Sequence, residues 1–234
     1  MPGITLGSPI WAEKTDMSRQ HQNNPEAVSS FLHEAAELCQ TLYQTYDGWQ
    51  LKFHRDDRSA SKAVWMLDIE CVCTLAEARD LLEQQKHRSA GKLMRHALEA
   101  VDLSSLFLAE GDSGRNLREW YSNRVITHKR YREHLRKSSQ LAKANERKKV
   151  YDLLSQWTHH TYYTVSNSFT LGAGDRLVHD AAMVRGKQTT VLITRETIYQ
   201  YCWLLSVVIL AATHELRDHG FMSDELTIVI GTTD

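Results

Sequence analysis

The placement of proline constrains the fold of this chain more than any other feature of its sequence. The three prolines are Pro2, Pro9 and Pro25, and more than two hundred residues follow without another. Proline is the residue that a helix interior excludes, because its ring clashes and its amide proton is missing. The chain has 234 residues, 42% of them hydrophobic, which is enough to bury a continuous core. The sequence therefore predicts an all-α protein.

Apolar residues recur every three to four positions in several long segments, as they do on the buried face of an amphipathic helix. This spacing predicts helices over 26–46, 60–86 and 87–110, a basic helix within 115–149, and further helices at 150–163 and 195–217. Only a short turn separates the second helix from the third, so these two should form an antiparallel hairpin. We expect a single bundle of about five or six helices, with the apolar 195–217 helix at its centre.

The two ends of the sequence differ from this middle. Residues 1–25 show little apolar periodicity, so we expect a flexible N-terminal arm before a helical bundle domain over 26–220. The segment 164–194 contains three glycines, and we interpret it as a long loop with a short helix near 176–184. The tail, 221–234, contains LTIVI, which fits either a single added strand or an extended docking segment.

Composition also bears on where the protein works. The apolar run CWLLSVVILAA at 202–212 is shorter than the roughly 20 residues that cross a bilayer, so we predict a core helix and no membrane association. The four cysteines form no C-x-x-C pair and are expected to be buried thiols. No signal-peptide pattern stands at the start. We therefore expect a reducing, cytoplasmic setting.

Motifs that bind metals or cofactors are missing from the sequence. It contains no Glu-x-x-His pair, no H-E-x-x-H motif and no Cys/His zinc spacing. The stretch from Gly172 to Gly174 lacks the third glycine of a dinucleotide-binding loop and the Gly-Lys-Ser of a phosphate-binding loop. We therefore expect neither a metal nor a cofactor.

The segment 115–149 is strongly basic. It carries twelve Lys or Arg against three Glu, a local charge of +9 in a chain whose total is −1. Such asymmetry is typical of contact with RNA or another acidic surface, although a solvated helix that answers acidic neighbours in the same fold is the alternative. The cations that we expect to contact nucleic acid are Arg130, Arg132, Arg136, Lys137, Lys148 and Lys149.

Three polar pairs at helical spacing are candidates for a catalytic site. They are Arg95 with Glu99, Ser155 with His159, and Arg124 with His128. An Arg and a His on one helix face can together bind a phosphate and move a proton. Ser155 and His159 form part of a polar row that begins at Tyr151. The alternative is structural: Ser155 and His159 reach toward Arg95 and Glu99 on the third helix, because polar pairs inside a bundle also serve to satisfy one another.

The order of these motifs carries a family resemblance. An Arg-x-x-x-Glu helix, then a basic helix, then YDLLSQWTH from Tyr151 to His159 resembles a group of prokaryotic helical proteins that are distantly similar to the HEPN superfamily (higher eukaryote and prokaryote nucleotide-binding). The resemblance spans 27–217. It implies a helical bundle, frequent homodimers and, in some members, RNA cleavage within toxin–antitoxin or phage-defence systems. The Arg-to-His spacing here is shorter than in the catalytic HEPN motif.

Three hypotheses of function follow from these observations. The first is a HEPN-like protein that binds RNA or a protein partner, such as an antitoxin, in bacterial defence or stress response. The second is a metal-independent, toxin-like endoribonuclease that uses an Arg and a His of the basic helix, or His159. The third is a structural dimerisation module in which the two motifs only hold the bundle together.

Overall fold

Helices dominate the computed structural model of the chain. The residues it describes are 4–12, 24–49, 52–137, 141–158, 169–171, 174, 176–179, 188–222 and 227–231. Among them are eight helices: α1 (Pro9–Ala12), α2 (Pro25–Asp47), α3 (Ala60–Glu83), α4 (His87–Glu110), α5 (Arg115–Tyr121), α6 (His128–Lys137), α7 (Leu141–Thr158) and α8 (Gln188–Asp218). The described strands are β1 (Ile4–Leu6), β2 (Phe169–Leu171), β3 (Leu177–His179) and β4 (Ile228–Ile230). The predicted all-α bundle is confirmed.

Helices α2 and α3 begin at residues whose side chains accept from their first amide groups. Asn24 caps α2 by accepting from the amide of Ala27 at 3.0 Å, and Pro25 occupies a first-turn position that needs no amide proton. Ser59 caps α3 by accepting from the amide of Lys62 at 3.2 Å. Asp57 and Ser59 both precede the apolar stripe of this helix, and both are residue types that cap helices, so the sequence alone offers these two candidates. These caps fix where the apolar stripes of both helices start.

Helix α4 is the element around which the others assemble. It forms a hairpin with α3, as predicted, and it also packs against α5, α6, α7 and α8. Its side chains Met94, Leu98 and Phe107 are fully buried. Helix α8 is also deeply buried but packs against α1, α2, α3 and α4. The 195–217 segment of α8 thus lies in the core, as expected, and α4 shares that central position.

The beginning and end of the described chain are joined. Strand β1 pairs in parallel with β4, so that Ile4 lies opposite Ile228 and Leu6 opposite Ile230. Leu6 and Ile10 are completely buried and Trp11 is 4% exposed. The expectation of a flexible arm is therefore wrong for residues 4–12, because their apolar side chains complete the core. For the tail, the single-strand interpretation matches β4.

The basic segment is divided where a continuous helix was expected. Helix α5 ends at Tyr121, and Asn123 adopts a left-handed φ of 58° before α6 begins at His128. Val125 lies between the two helices and is 87% exposed. Helices α5 and α6 thus stand where one basic helix was predicted, and α7 begins at Leu141, before the predicted start at 150. The division turns α6 back onto α4 and α7.

The last segments also differ in detail from the expectation. Strands β2 and β3 form an antiparallel pair, with Phe169 opposite His179, so Leu177–His179 is a strand where a short helix was expected. Helix α8 already begins at Gln188, within the predicted loop. In the part of the chain that the structure describes, no helix combines the length and apolarity that a membrane crossing requires.

Candidate functional site

Four side chains from two helices meet around one tyrosine of a third helix. The Tyr151 cluster consists of Arg95 and Glu99 from α4, His128 and Arg132 from α6, and Tyr151 from α7. Arg95 and Glu99 share a face of α4 because they are four residues apart, and His128 and Arg132 share a face of α6 for the same reason. Packing of α4 against both α6 and α7 brings the two faces together.

Tyr151 is hydrogen-bonded to both members of the α4 pair. Its hydroxyl donates to Glu99 Oε1 at 2.9 Å and accepts from Arg95 Nη2. Arg95 Nε donates to the same Glu99 oxygen at 3.0 Å. The side chains of Arg95 and Glu99 are 23% and 29% exposed, so this pair is neither a fully solvated surface bridge nor a core bridge.

Two cations also lie against the Tyr151 ring. The Arg132 Cζ is 3.6 Å from the ring centroid and the Arg95 Cζ is 4.7 Å away, which is within the range of cation–π attraction. The exposed ring of His128 lies 5.6 Å from the tyrosine ring, centroid to centroid. Arg132 Nη2 is buried and has no hydrogen-bond partner among the described residues. The cluster thus holds a buried donor next to a solvent-exposed histidine.

The Tyr151 cluster carries more positive than negative charge. Burial, together with the hydrogen bond to Glu99, raises the pKa of Tyr151, so its hydroxyl stays neutral. Burial acts to lower the pKa of Arg95, but the hydrogen bond and the charge of Glu99 outweigh it and raise that pKa. Two guanidinium groups therefore face one carboxylate. This arrangement can bind an anion that reaches the cluster from the side of His128.

Only Ser155 of the predicted Ser155 and His159 pair lies within the described residues. Ser155 lies one turn after Tyr151 on α7, and its side chain is partly buried and engaged with another group. His159 lies outside the described residues. A contact of this pair with Arg95 and Glu99 therefore stays a prediction. Tyr151, the first member of the same polar row, is the residue that the structure places on the Arg95–Glu99 pair.

The predicted nucleic-acid contacts are spread over several surfaces. Arg132 lies in the Tyr151 cluster, whereas Arg130 is bonded to Glu119 and, at 2.9 Å, to Asn116 Oδ1. Lys148 lies 4.0 Å from Asp152 on its own helix. The side chains of Arg124, Arg136 and Lys149 are exposed, and that of Lys137 lies outside the description. Arg124 does not take part in the cluster contacts that its partner His128 makes.

A second charged cluster, which the sequence did not predict, is buried in the core. Arg147 of the basic segment is 7% exposed, and its guanidinium lies 3.5 Å from Asp102 on α4 and 3.0 Å from Glu215 on α8. Its Nη1 is buried and has no hydrogen-bond partner within the described ranges. Arg147 thus connects α7 to two other helices. Because it is buried, it adds to the charge of +9 of the segment but not to the charge of its surface.

The same core contains a buried histidine and carboxylate. His219, at the end of α8, places Nδ1 2.9 Å and 3.0 Å from the two oxygens of Asp68 on α3. Asp68 also accepts from Ser104 Oγ at 2.6 Å and from the Tyr46 hydroxyl at 3.2 Å. Burial raises the pKa of Asp68, although these three donors oppose the shift. We call Asp68, Asp102, Arg147, Glu215 and His219 the core charge network.

A sequence signal for this network existed. Asp68 falls on the apolar stripe of α3, between Val64 and Cys71, where a carboxylate needs partners from another helix. The identity of those partners had no local signal, because His219 lies far away in the chain. Within the described part of the chain, no group of three or more His, Cys, Asp or Glu is placed to hold a metal ion.

Comparison of the chain with protein-family models, with curated proteins and with solved structures finds no match. The resemblance to HEPN proteins therefore stays a prediction that rests on its two short motifs.

Proposed function

We propose that this protein is a HEPN-like helical protein that binds RNA and takes the phosphate backbone at the Tyr151 cluster. The observation that carries this proposal is the convergence of the Arg95 and Arg132 guanidinium groups on one tyrosine, beside the exposed ring of His128. Guanidinium groups suit phosphate because their planar N–H donors match its oxygens in pairs. Only one carboxylate, Glu99, offsets them.

Arg132 is the residue on which the binding depends most. Arg95 already donates to Glu99 and Tyr151, so it supplies charge and position. Arg132 Nη2 is a buried donor that has no partner among the described residues, and leaving such a donor unpaired costs about 1–3 kcal/mol. Because this atom is buried while the residue as a whole is partly exposed, the Arg132 side chain must turn outward for a phosphate oxygen to satisfy it. Arg136 is exposed and lies one turn further along α6, where it can contact a neighbouring phosphate of the same strand.

The test is binding of a fluorescent single-stranded RNA, measured by anisotropy over a series of salt concentrations. Phosphate contacts release counterions, so affinity should fall steeply as salt rises. Arg132→Gln should weaken binding by about tenfold and reduce the salt slope by about one contact. Arg130→Gln should change affinity less than about twofold, because Glu119 and Asn116 already occupy Arg130.

Lys129→Gln is the matched control. Lys129 lies on the same helix and is 81% exposed, and it is not part of the Tyr151 cluster. Its substitution removes one positive charge, as Arg132→Gln does. If Lys129→Gln and Arg132→Gln weaken binding equally, the contact is diffuse and the cluster is not the site. If the unaltered protein shows no salt-dependent RNA binding at all, the proposal is wrong, and an acidic protein partner such as an antitoxin becomes the better occupant of the cluster.

A second candidate function is the metal-independent endoribonuclease. The exposed position of His128 at the edge of the cluster favours it, because RNA cleavage by its own 2′-hydroxyl needs a proton acceptor close to a bound phosphate. RNA fragments formed in the presence of a metal chelator and abolished by His128→Ala would support this function. Cleavage that persists in that variant would remove His128 from the chemistry. The setting in bacterial defence or stress response rests on the family resemblance alone.

A further inference from the structure

Ser105 is the partly exposed end of a hydrogen-bonded chain that RNA binding does not use. Its Oγ lies 2.9 Å from His219 Nε2, and His219 Nδ1 lies 2.9 Å from Asp68 Oδ2. The three residues come from α4, from the end of α8 and from α3. A hydroxyl, an imidazole and a carboxylate in this order at these distances are the arrangement that activates a serine nucleophile.

The buried end of the chain is held firmly in one orientation. Asp68 is fully buried and accepts hydrogen bonds from Ser104 and Tyr46 in addition to His219. A carboxylate on Nδ1 holds the neutral imidazole in the tautomer with its proton on Nδ1, which leaves the Nε2 lone pair facing Ser105. Exposure rises along the chain, from Asp68 at 0% and His219 at 6% to the partly exposed Ser105.

We propose that Ser105 is an activated nucleophile that accepts a small acyl group from an activated ester, with His219 as its general base and Asp68 as the residue that orients His219. Ser105 Oγ forms a bond to the acyl carbon, and its proton passes to His219 Nε2. The bond from the acyl carbon to the leaving oxygen breaks, and that oxygen takes the proton back from His219 or leaves as an anion. The product is an ester on Ser105.

Two other acceptors compete with His219 for the Ser105 hydrogen, and the partial exposure of Ser105 limits the size of the substrate. The Ser105 hydroxyl is 3.0 Å from the Val101 carbonyl of its own helix and 3.4 Å from Glu215 Oε2. The hydroxyl has one hydrogen, so it is activated only when that hydrogen points to His219. Glu215 is also 3.0 Å from Arg147, which moderates its charge. Because Ser105 is only partly exposed, the acyl group must be small.

The experiment uses p-nitrophenyl acetate as the probe on the full chain. We expect a burst of about one equivalent of nitrophenolate per chain, which is the kinetic fingerprint of an acyl-enzyme. Peptide mass mapping should place one acetyl group on Ser105, and Ser105→Ala should abolish the burst. His219→Gln should slow it at least about a hundredfold, the usual contribution of a general base. Thermal melting shows whether each variant is folded.

Ser122 is the internal control. Its hydroxyl also donates to a carbonyl one turn earlier, that of Arg118 at 2.8 Å, and Ser122 is exposed, but it has no part in the His219 chain. Acetyl found on Ser105 and not on Ser122 supports the proposal. Because this comparison is made in the unaltered protein, it tests the proposal even if His219→Gln does not fold. Acetyl absent from Ser105, present equally on Ser122, or added at an unchanged rate in folded His219→Gln would overturn it.

Discussion

The Tyr151 cluster and the core charge network contain similar side chains in opposite environments. The cluster has two arginines, one glutamate and a histidine at the surface, with the Arg95 and Glu99 side chains 23% and 29% exposed. The network has three carboxylates, one arginine and a histidine, and its Arg147 and Glu215 side chains are 7% and 6% exposed. The first has an excess of positive charge near solvent. The second has more carboxylates than arginines inside the bundle.

The difference shows how burial assigns a role to a charge. A partly exposed guanidinium can exchange water for a ligand phosphate at modest cost, so the Tyr151 cluster can serve binding. A charge in the core is not solvated by water, so only its protein partners stabilise it and they must remain in place. Arg147 and Arg132 come from the same basic segment, yet only Arg132 is available to a ligand. Net charge of a segment is therefore a poor measure of its binding surface.

The largest effect that separates the two regions is expected from Arg147→Met. Removing this cation leaves Asp102 and Glu215 close together without the charge between them, and breaking a buried pair in this way costs about 3–5 kcal/mol. Urea unfolding followed by circular dichroism measures the loss. Lys148→Met is the control, because Lys148 is the next residue and 54% exposed, and we expect a change within about 0.5 kcal/mol. Equal effects of both variants would show that the network does not hold the core.

A smaller effect is expected from Arg95→Ala in the Tyr151 cluster. The variant loses the hydrogen bonds to Glu99 and Tyr151, but Tyr151 still donates to Glu99, so the expected loss is about 1–2 kcal/mol. Lys92→Ala, at an exposed position of the same helix, controls for helix propensity. A loss as large as that of Arg147→Met, in the same urea assay, would place Arg95 in the fold and weaken its role in binding.

The last effect is a pH dependence that Asp68 contributes from the core. The folded-state pKa of Asp68 is raised by burial above its ordinary value of 3.8, so the folded state binds this proton more tightly than the unfolded state. The stabilising contribution of protonated Asp68 is therefore fully present below pH 3.8 and is lost as pH rises through the folded-state pKa. The unfolding free energy of the unaltered protein minus that of Asp68→Asn should decline over this range. A difference that is flat or rises with pH would contradict the shift.

The fold could be predicted to the extent that its causes are local. The lack of proline after Pro25 and the three-four apolar spacing were enough to indicate the helices α2, α3 and α4, and Ser59 could be named as a cap before any contact was known. The break between α5 and α6 could not be seen, because Asn123 and Val125 are compatible with a helix and only tertiary packing turns the chain there.

The candidate site could be predicted only in part. Helical spacing placed Arg95 beside Glu99, and we expected the polar row of α7 to reach this pair through Ser155 and His159. That Tyr151 contacts the pair depends on how α4 packs against α7. The contact of Arg132 with Tyr151 depends in turn on the unpredicted start of α6. Asp68 and His219 meet across 151 positions of sequence, a distance over which no periodicity carries information.

The parallel pairing of β1 with β4 has a consequence for the order of folding. A chain leaves the ribosome from its N-terminal end, so Ile4–Leu6 emerges long before its partner strand Ile228–Ile230. Until then Leu6 and Ile10, both completely buried in the finished protein, have no complete site to enter. The closure of so long a loop must follow assembly of the helices between them. Newly made chains therefore expose this short apolar segment until its partner strand has been synthesised.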